Sequence, residues 1–110
     1  MDIKNAVTAF DALSHETRLA ALRLLIKAGP DGLAAGEIAD ALAVVQNTMS
    51  THLAVLARSG LIQSVRAGRS IRYSAHYEGI RELLIYLLQD CCRGDAAICA
   101  PIFDAVACGC

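Results

Sequence analysis

Residues 46–62 constrain the fold more than any other stretch. They read Gln46-Asn47-Thr48-Met49-Ser50-Thr51-His52-Leu53-Ala54-Val55-Leu56-Ala57-Arg58-Ser59-Gly60-Leu61-Ile62. Met49, Leu53, Leu56 and Ala57 recur at helical spacing, so the segment is predicted to be one amphipathic helix with a narrow apolar stripe. Gly60 is expected to close it, because helices often end on a left-handed residue that glycine adopts without strain. The outward face is unusual. A helix that only needs solubility shows Lys and Glu, whereas the first two turns here carry Gln46, Asn47, Thr48, Ser50, Thr51 and His52. Short amides, hydroxyls and imidazole near a helix N-terminus are the groups that read base edges in a DNA groove.

The rest of the chain supplies a frame for that helix. Residues 1–13 are expected to be helical, with Ile3, Val7, Phe10 and Leu13 on one side. Ser14 is the expected N-cap of a second helix, 15–28, which turns Leu19, Leu22, Leu25 and Ile26 inward. Gly29-Pro30-Asp31-Gly32 is a break. A short helix over 35–42, with Ile38, Ala39 and Leu42, then leads through a turn at 43–45 into the polar-faced helix. The two together make a helix-turn-helix. From residue 61 the period changes. Residues 61–66 and 71–76 are rich in β-branched and aromatic types and flank Ala67-Gly68-Arg69-Ser70, which predicts a β-hairpin with arginines near its tip. Residues 78–90 return to helix with a wide apolar stripe, Ile80, Leu83, Leu84, Leu87 and Leu88, enough to pack on its own domain and on a partner. The predicted fold class is therefore mainly α with a β-hairpin wing, a winged helix-turn-helix. The domain spans 1–90, and a cysteine-rich tail spans 91–110.

Composition narrows the function. A chain of 110 residues makes one domain. A hydrophobic share of 55% is more than a small monomer readily hides, so a self-association surface is expected. No apolar run approaches the roughly 18 residues of a membrane span, and the N-terminus lacks a basic-then-apolar export pattern. A cytoplasmic protein without membrane partners is expected. In a reducing compartment its five cysteines read as thiols or metal ligands, not structural disulfides. The net charge of −1, taken as a whole, argues against nucleic-acid binding, but its distribution says otherwise. Between Ala41 and Tyr77 there is no Asp or Glu, while Arg58, Arg66, Arg69 and Arg72 all lie there. Local charge makes a phosphate-binding face. Nothing in the chain supplies a nucleophile with a substrate pocket, so it is not expected to be an enzyme.

At residue level the chain resembles the ArsR/SmtB family of dimeric, metal-responsive bacterial repressors. The matching stretches are Ala12-Leu13-Ser14-His15-Glu16-Thr17-Arg18-Leu19 with Leu24-Leu25, and Glu37-Ile38-Ala39. They continue through Ser50-Thr51-His52-Leu53-Ala54-Val55-Leu56 with Ser59-Gly60-Leu61-Ile62, then Arg66-Ala67-Gly68-Arg69 before Tyr73. The resemblance covers about residues 5–90 and implies a homodimer joined through the helices at 1–13 and 77–90. It implies operator DNA with an imperfect inverted repeat as the partner. Gln46, Asn47, Thr48, Ser50, Thr51 and His52 would meet bases and nearby phosphates, and Arg66, Arg69 and Arg72 the phosphates or minor groove. His15 reads as a surface or capping residue.

Members of the family sense their inducers at several alternative sites. One arsenic-type site places Cys-x-Cys at the start of the helix-turn-helix, where this chain has Leu42-Ala43-Val44-Val45-Gln46 and no cysteine. A zinc-type site on the last helix needs paired His and carboxylates; His76 and Glu78 are present, but no second His follows. What remains is Cys91, Cys92 and Cys99, and some members with such a vicinal pair and third cysteine respond to trivalent arsenic or antimony. The chemistry suits these thiols. As(III) and Sb(III) are soft ions that take three sulfurs in a pyramid, and thiolates select soft ions. Adjacent residues of a continuous helix point about 100° apart, so Gly94 is needed to turn the chain and return Cys99 toward the pair. Cys108 and Cys110 are auxiliary candidates. Three alternatives stand beside an As(III) or Sb(III) inducer: a Zn/Cd-type sensor using four thiols, a thiol redox-sensing regulator, and an arsenic-buffering protein.

Overall fold

The computed structural model describes residues 1–89, 100–102 and 104–105. Helix α1 (Ile3–Leu13) starts at Asp2, whose carboxylate accepts the Asn5 amide N–H at 2.8 Å and satisfies one otherwise unpaired donor of the first turn. Its buried side consists of Ala6, Ala9 and Ala12. Small residues let α1 lie close against α2 (Glu16–Ala28) and α4 (Gln46–Arg58). Ile3, Val7 and Phe10 do share one side, as expected, but that side faces away from the chain's own core and stays exposed.

Ser14 is not the N-cap of α2. Because α1 runs through Leu13, Ser14 falls at its end, and its hydroxyl donates to the Asp11 carbonyl at 2.7 Å. The cap is His15, whose Nδ1 accepts the Thr17 N–H at 3.1 Å. The buried stripe of α2 is narrower than expected. It holds Ala21, Leu22 and Leu25, while Leu19 and Ile26 remain exposed.

The break at residues 29–32 is a turn with Gly29 at φ +83° and Gly32 at φ +67°. A Cβ on Gly32 would also collide with the Tyr73 carbonyl, so conformation and space both require glycine there. After the turn comes β1 (Leu33–Ala34), too short for any periodicity to reveal. It pairs antiparallel with β3 (Ser70–Ala75), Leu33 opposite Tyr73 and Ala34 opposite Arg72. Helix α3 (Ala35–Leu42) and α4 follow as the helix-turn-helix, with Ala43 between them in the left-handed region at φ +54°. Helix α4 ends as predicted. Gly60, at φ +83°, donates to the Ala57 carbonyl at 3.1 Å, and Leu61 donates to that of Leu56 at 3.3 Å, the two bonds of a Schellman closure.

Strands β2 (Ile62–Ala67) and β3 form the hairpin, and the sheet order is β1-β3-β2. Ala67 faces Ser70, so the turn is the two residues Gly68 and Arg69, with Gly68 at φ +63°. Helix α5 (Tyr77–Leu88) closes the domain. Its stripe splits: Gly79 and Leu83 are buried, whereas Leu84, Ile85 and Leu87 are exposed. The core of the domain is Leu25, Ile38, Met49, Leu53, Leu56 and Leu61. Three of those six residues come from α4, so the helix with the polar outer face is also the one the core is built on.

Candidate nucleic-acid interface

Burying Met49, Leu53 and Leu56 turns the rest of α4 outward. Gln46, Asn47, Thr48, Ser50 and Thr51 are all exposed. The Thr51 hydroxyl donates back to the Asn47 carbonyl at 3.3 Å; the other four have no side-chain hydrogen bond among the described residues. The N-cap of α4 is Val45, which makes no side-chain capping bond. Its first-turn N–H groups and the positive end of its dipole are therefore available to an anion.

His52 sits differently from that row. It is half-buried on the flank of α4, its ring centroid 4.5 Å from that of His15 and tilted 42°. Its Nδ1 lies 3.4 Å from Nη1 of Arg18, whose Nε donates to the Ala12 carbonyl at 2.6 Å. This imidazole ties the reading helix to the α1–α2 junction. Burial, then the neighbouring His15 and Arg18, lower its pKa below the ordinary histidine value. The unfolded chain thus binds this proton more readily than the folded one. Its contribution to stability is present above about pH 6.5 and is lost as pH falls through the depressed folded value. Thermal unfolding followed from about pH 7.5 to pH 5.5 should show Tm falling, with a shallower fall in His52→Gln. An equally steep fall in that variant would remove His52 as the cause.

The wing presents Arg66 and Arg69 in the open. Among the described residues Arg66 reaches only the Gly68 carbonyl, Nε at 3.4 Å, and Arg58 is exposed at the end of α4. Arg72 does not join them as expected. Its Nε donates to the Asp31 carbonyl at 3.1 Å and its Nη2 to that of Gly32 at 2.9 Å, while Nη1 lies 3.7 Å from Glu37 Oε1. The cause is β1, which the sequence reading missed: pairing Ala34 with Arg72 lays this side chain beside the glycine turn. Between wing and reading helix lies a cleft of about 300 Å³. Gln46 and Ser50 form one wall, Arg69, Ser70, Ile71 and Tyr73 the other, and residues 34–36 the floor. Ser70 and Tyr73 were also missed as cleft residues; their place in the hairpin, next to the arginines, was the available signal.

Of the zinc-type candidates, the His76 ring meets the Gly60 carbonyl through Nδ1 at 3.0 Å, and Glu78 pairs with Arg81 at 3.1 Å. Cys91, Cys92, Cys99, Cys108 and Cys110 lie outside the described residues. No helix among the described residues is long and apolar enough to cross a membrane.

Comparison with known proteins agrees with this geometry. A helix-turn-helix domain model matches residues 13–65. YbzH of Bacillus subtilis (strain 168), an uncharacterized HTH-type transcriptional regulator, is 32% identical over 93 residues, covering 74% of this chain and 93% of its own length. An ArsR-like transcriptional regulator from Rhodococcus sp. RHA1 superposes with a TM-score of 0.72 at 31% identity, covering 88% of this chain and 89% of that one. The homodimeric winged helix-turn-helix DNA-binding domain of Mb0332 from Mycobacterium bovis, a possible ArsR-family regulator, gives 0.66 at 26% identity, covering 80% and 81%. These relatives are described as transcriptional regulators, the last as a possible one. With a polar reading helix beside an arginine-tipped wing, and such identity over most of these relatives' lengths, the chain belongs to the ArsR-like family of winged helix-turn-helix transcriptional regulators.

Proposed function

We propose that the chain is a metalloid-responsive repressor of the cytoplasm. A homodimer holds operator DNA and releases it when As(III) or Sb(III) binds the thiolates of Cys91, Cys92 and Cys99. The observation that carries the DNA half is the exposed row on α4, set at an uncapped N-terminus next to Arg66 and Arg69. Gln46, Asn47, Thr48, Ser50 and Thr51 contact bases and adjacent phosphates. Arg66 and Arg69 contact phosphates or the minor groove, and the operator is an imperfect inverted repeat read by two such helices in successive major grooves. His52 acts from the flank, by holding α4.

The dimer reading rests on exposed apolar groups. Ile3, Val7 and Phe10 on α1 and Leu84, Ile85 and Leu87 on α5 are exposed, and α1 and α5 touch each other. The inducer reading rests on three soft ligands within nine residues just past α5. Cys91 and Cys92 are also a vicinal pair that can oxidise, which keeps a redox switch as the second reading.

One titration tests both. A duplex selected from a random pool by the reduced protein is bound at dimer mass in sedimentation, then challenged separately with arsenite and with peroxide. Arsenite alone is expected to release it. Release by peroxide alone favours the redox reading, and a protein that sediments as a monomer defeats the dimer.

A further inference from the structure

We infer that Arg72 is a positioning residue for DNA binding: it braces the wing against the helix-turn-helix and does not itself meet DNA. The inference rests on the DNA-binding reading of α4 and the wing. A two-stranded hairpin is marginal on its own in water. This one buries only Ile62 from β2, and only Ser74 and Ala75 from β3. The third strand, β1, contributes just two residue pairs. Something else must fix the angle at which the wing projects.

Arg72 has the geometry to do so. Its planar guanidinium spans two successive carbonyls, Asp31 at 3.1 Å and Gly32 at 2.9 Å, a match that a rigid fork makes and a point charge does not. Those carbonyls sit in a turn whose glycines are both left-handed, at φ +83° and +67°. The third contact reaches the helix-turn-helix. Glu37 Oε1 lies 3.7 Å from Arg72 and also accepts the Ala34 N–H at 2.9 Å, at the start of α3. One carboxylate thus joins the brace to the helix that packs on α4.

The position of Arg72 in the strand completes the case. Ile71 and Tyr73 line the cleft opposite Gln46 and Ser50, and Arg72 between them does not. It supports the wall of the cleft from the other face. Arg69 and Ser70, held by that wall, line the same cleft as Gln46 and Ser50. With its N–H groups on two carbonyls and a carboxylate nearby, Arg72 contributes no counterion release on binding.

The test measures binding of the full chain to a mixed-sequence duplex of about three helical turns as salt is varied. Wild type is compared with Arg72→Ala, Arg72→Gln and Arg69→Ala. Arg72→Ala should bind about tenfold more weakly, the size of one hydrogen bond from a charged donor, with the slope of log K against log salt unchanged. Arg72→Gln, whose amide can still donate to a turn carbonyl, should recover most of the affinity at the same slope, and it carries the test if Arg72→Ala fails to fold. Arg69→Ala should lower the slope by about one per subunit.

A reduced slope in either Arg72 variant, or unchanged affinity in Arg72→Ala, overturns the inference. If Arg69→Ala changes neither quantity, the wing's role in DNA binding has failed instead. Hydrogen exchange supplies the readout that a general loss of stability would not give. Arg72→Ala should speed exchange in residues 62–75 and leave 46–58 protected, and equal acceleration in both would count against a positioning role.

Discussion

Cys92→Ser is expected to leave operator binding intact and to abolish release by arsenite. A pyramidal three-sulfur site that loses one thiolate keeps two ligands, and its preference for a soft trivalent ion goes with the third. Loss of the inducer site shows in DNA binding only through coupling, which is reciprocal between the two ligands. A coupling of about 1–3 kcal/mol corresponds to roughly 5–150-fold weaker operator binding in the loaded wild type, and to no change in the variant. Helix α5 offers the connection. Its last helical residue, Leu88, lies just before Cys91 and Cys92, and its first turn is joined to the end of the reading helix. There the His76 N–H donates to the Leu61 carbonyl at 2.9 Å, and the His76 ring meets that of Gly60 at 3.0 Å. A tilt of α5 imposed from its far end is therefore felt where α4 closes. Cys108→Ser combined with Cys110→Ser should keep release, since eight residues, Pro101 among them, separate Cys99 from Cys108. If that double variant binds DNA normally and ignores arsenite, the site includes the C-terminal pair.

Much of this architecture is legible in the residues because periodicity reports burial. Met49, Leu53 and Leu56 recur at helical spacing and all three are in the core; Gly60 follows and closes the helix as a glycine should. What periodicity does not report is which of two apolar faces turns inward. On α1 the core takes Ala6, Ala9 and Ala12, and the larger Ile3, Val7 and Phe10 stay outside. Close helix contact favours small residues, and a scale of hydrophobicity ranks them last. The same limit applied to α5, where Leu83 is buried and Leu84 and Leu87 are not. The site shows a second limit. Charge and exposure pick out Arg66 and Arg69 correctly as open cations, but whether an arginine faces solvent or its own backbone depends on pairing between distant strands. Arg72 meets carbonyls some forty residues earlier in the chain through a strand of two residues. No local pattern encodes that, and His52 is drawn to Arg18 and His15 by the same kind of distant packing.

Gly79→Ala should destabilise the domain and weaken DNA binding together, against the usual direction of such a change. Replacing a glycine inside a helix by alanine ordinarily adds about 0.5–1 kcal/mol of stability, because alanine has less backbone freedom to lose. Gly79 lies in the first turn of α5 at the crossing with the end of α4. A Cβ there would run into the Gly60 carbonyl and stand 3.0 Å from Nδ1 of His76. Neither neighbour can yield at little cost. Gly60 is held at φ +83° by the Schellman closure, and its carbonyl is the partner of the His76 ring. Either α5 lifts away or that bond breaks. Overpacking of this kind costs about 1–3 kcal/mol, and for a domain near this size each kcal/mol lowers Tm by roughly 4–8 °C. Gly68→Ala is the control, since Gly68 is left-handed at φ +63° but a Cβ there meets nothing within 4 Å. It should cost only backbone strain, about 1 kcal/mol, and disturb the wing without touching α5. Thermal unfolding of the two variants should therefore rank Gly79→Ala as the more damaging, with operator release by arsenite blunted in that variant alone. A Gly79→Ala protein that melts higher than wild type would mean that α5 does not pack on the end of α4 in solution, and the route proposed for the signal would fall with it.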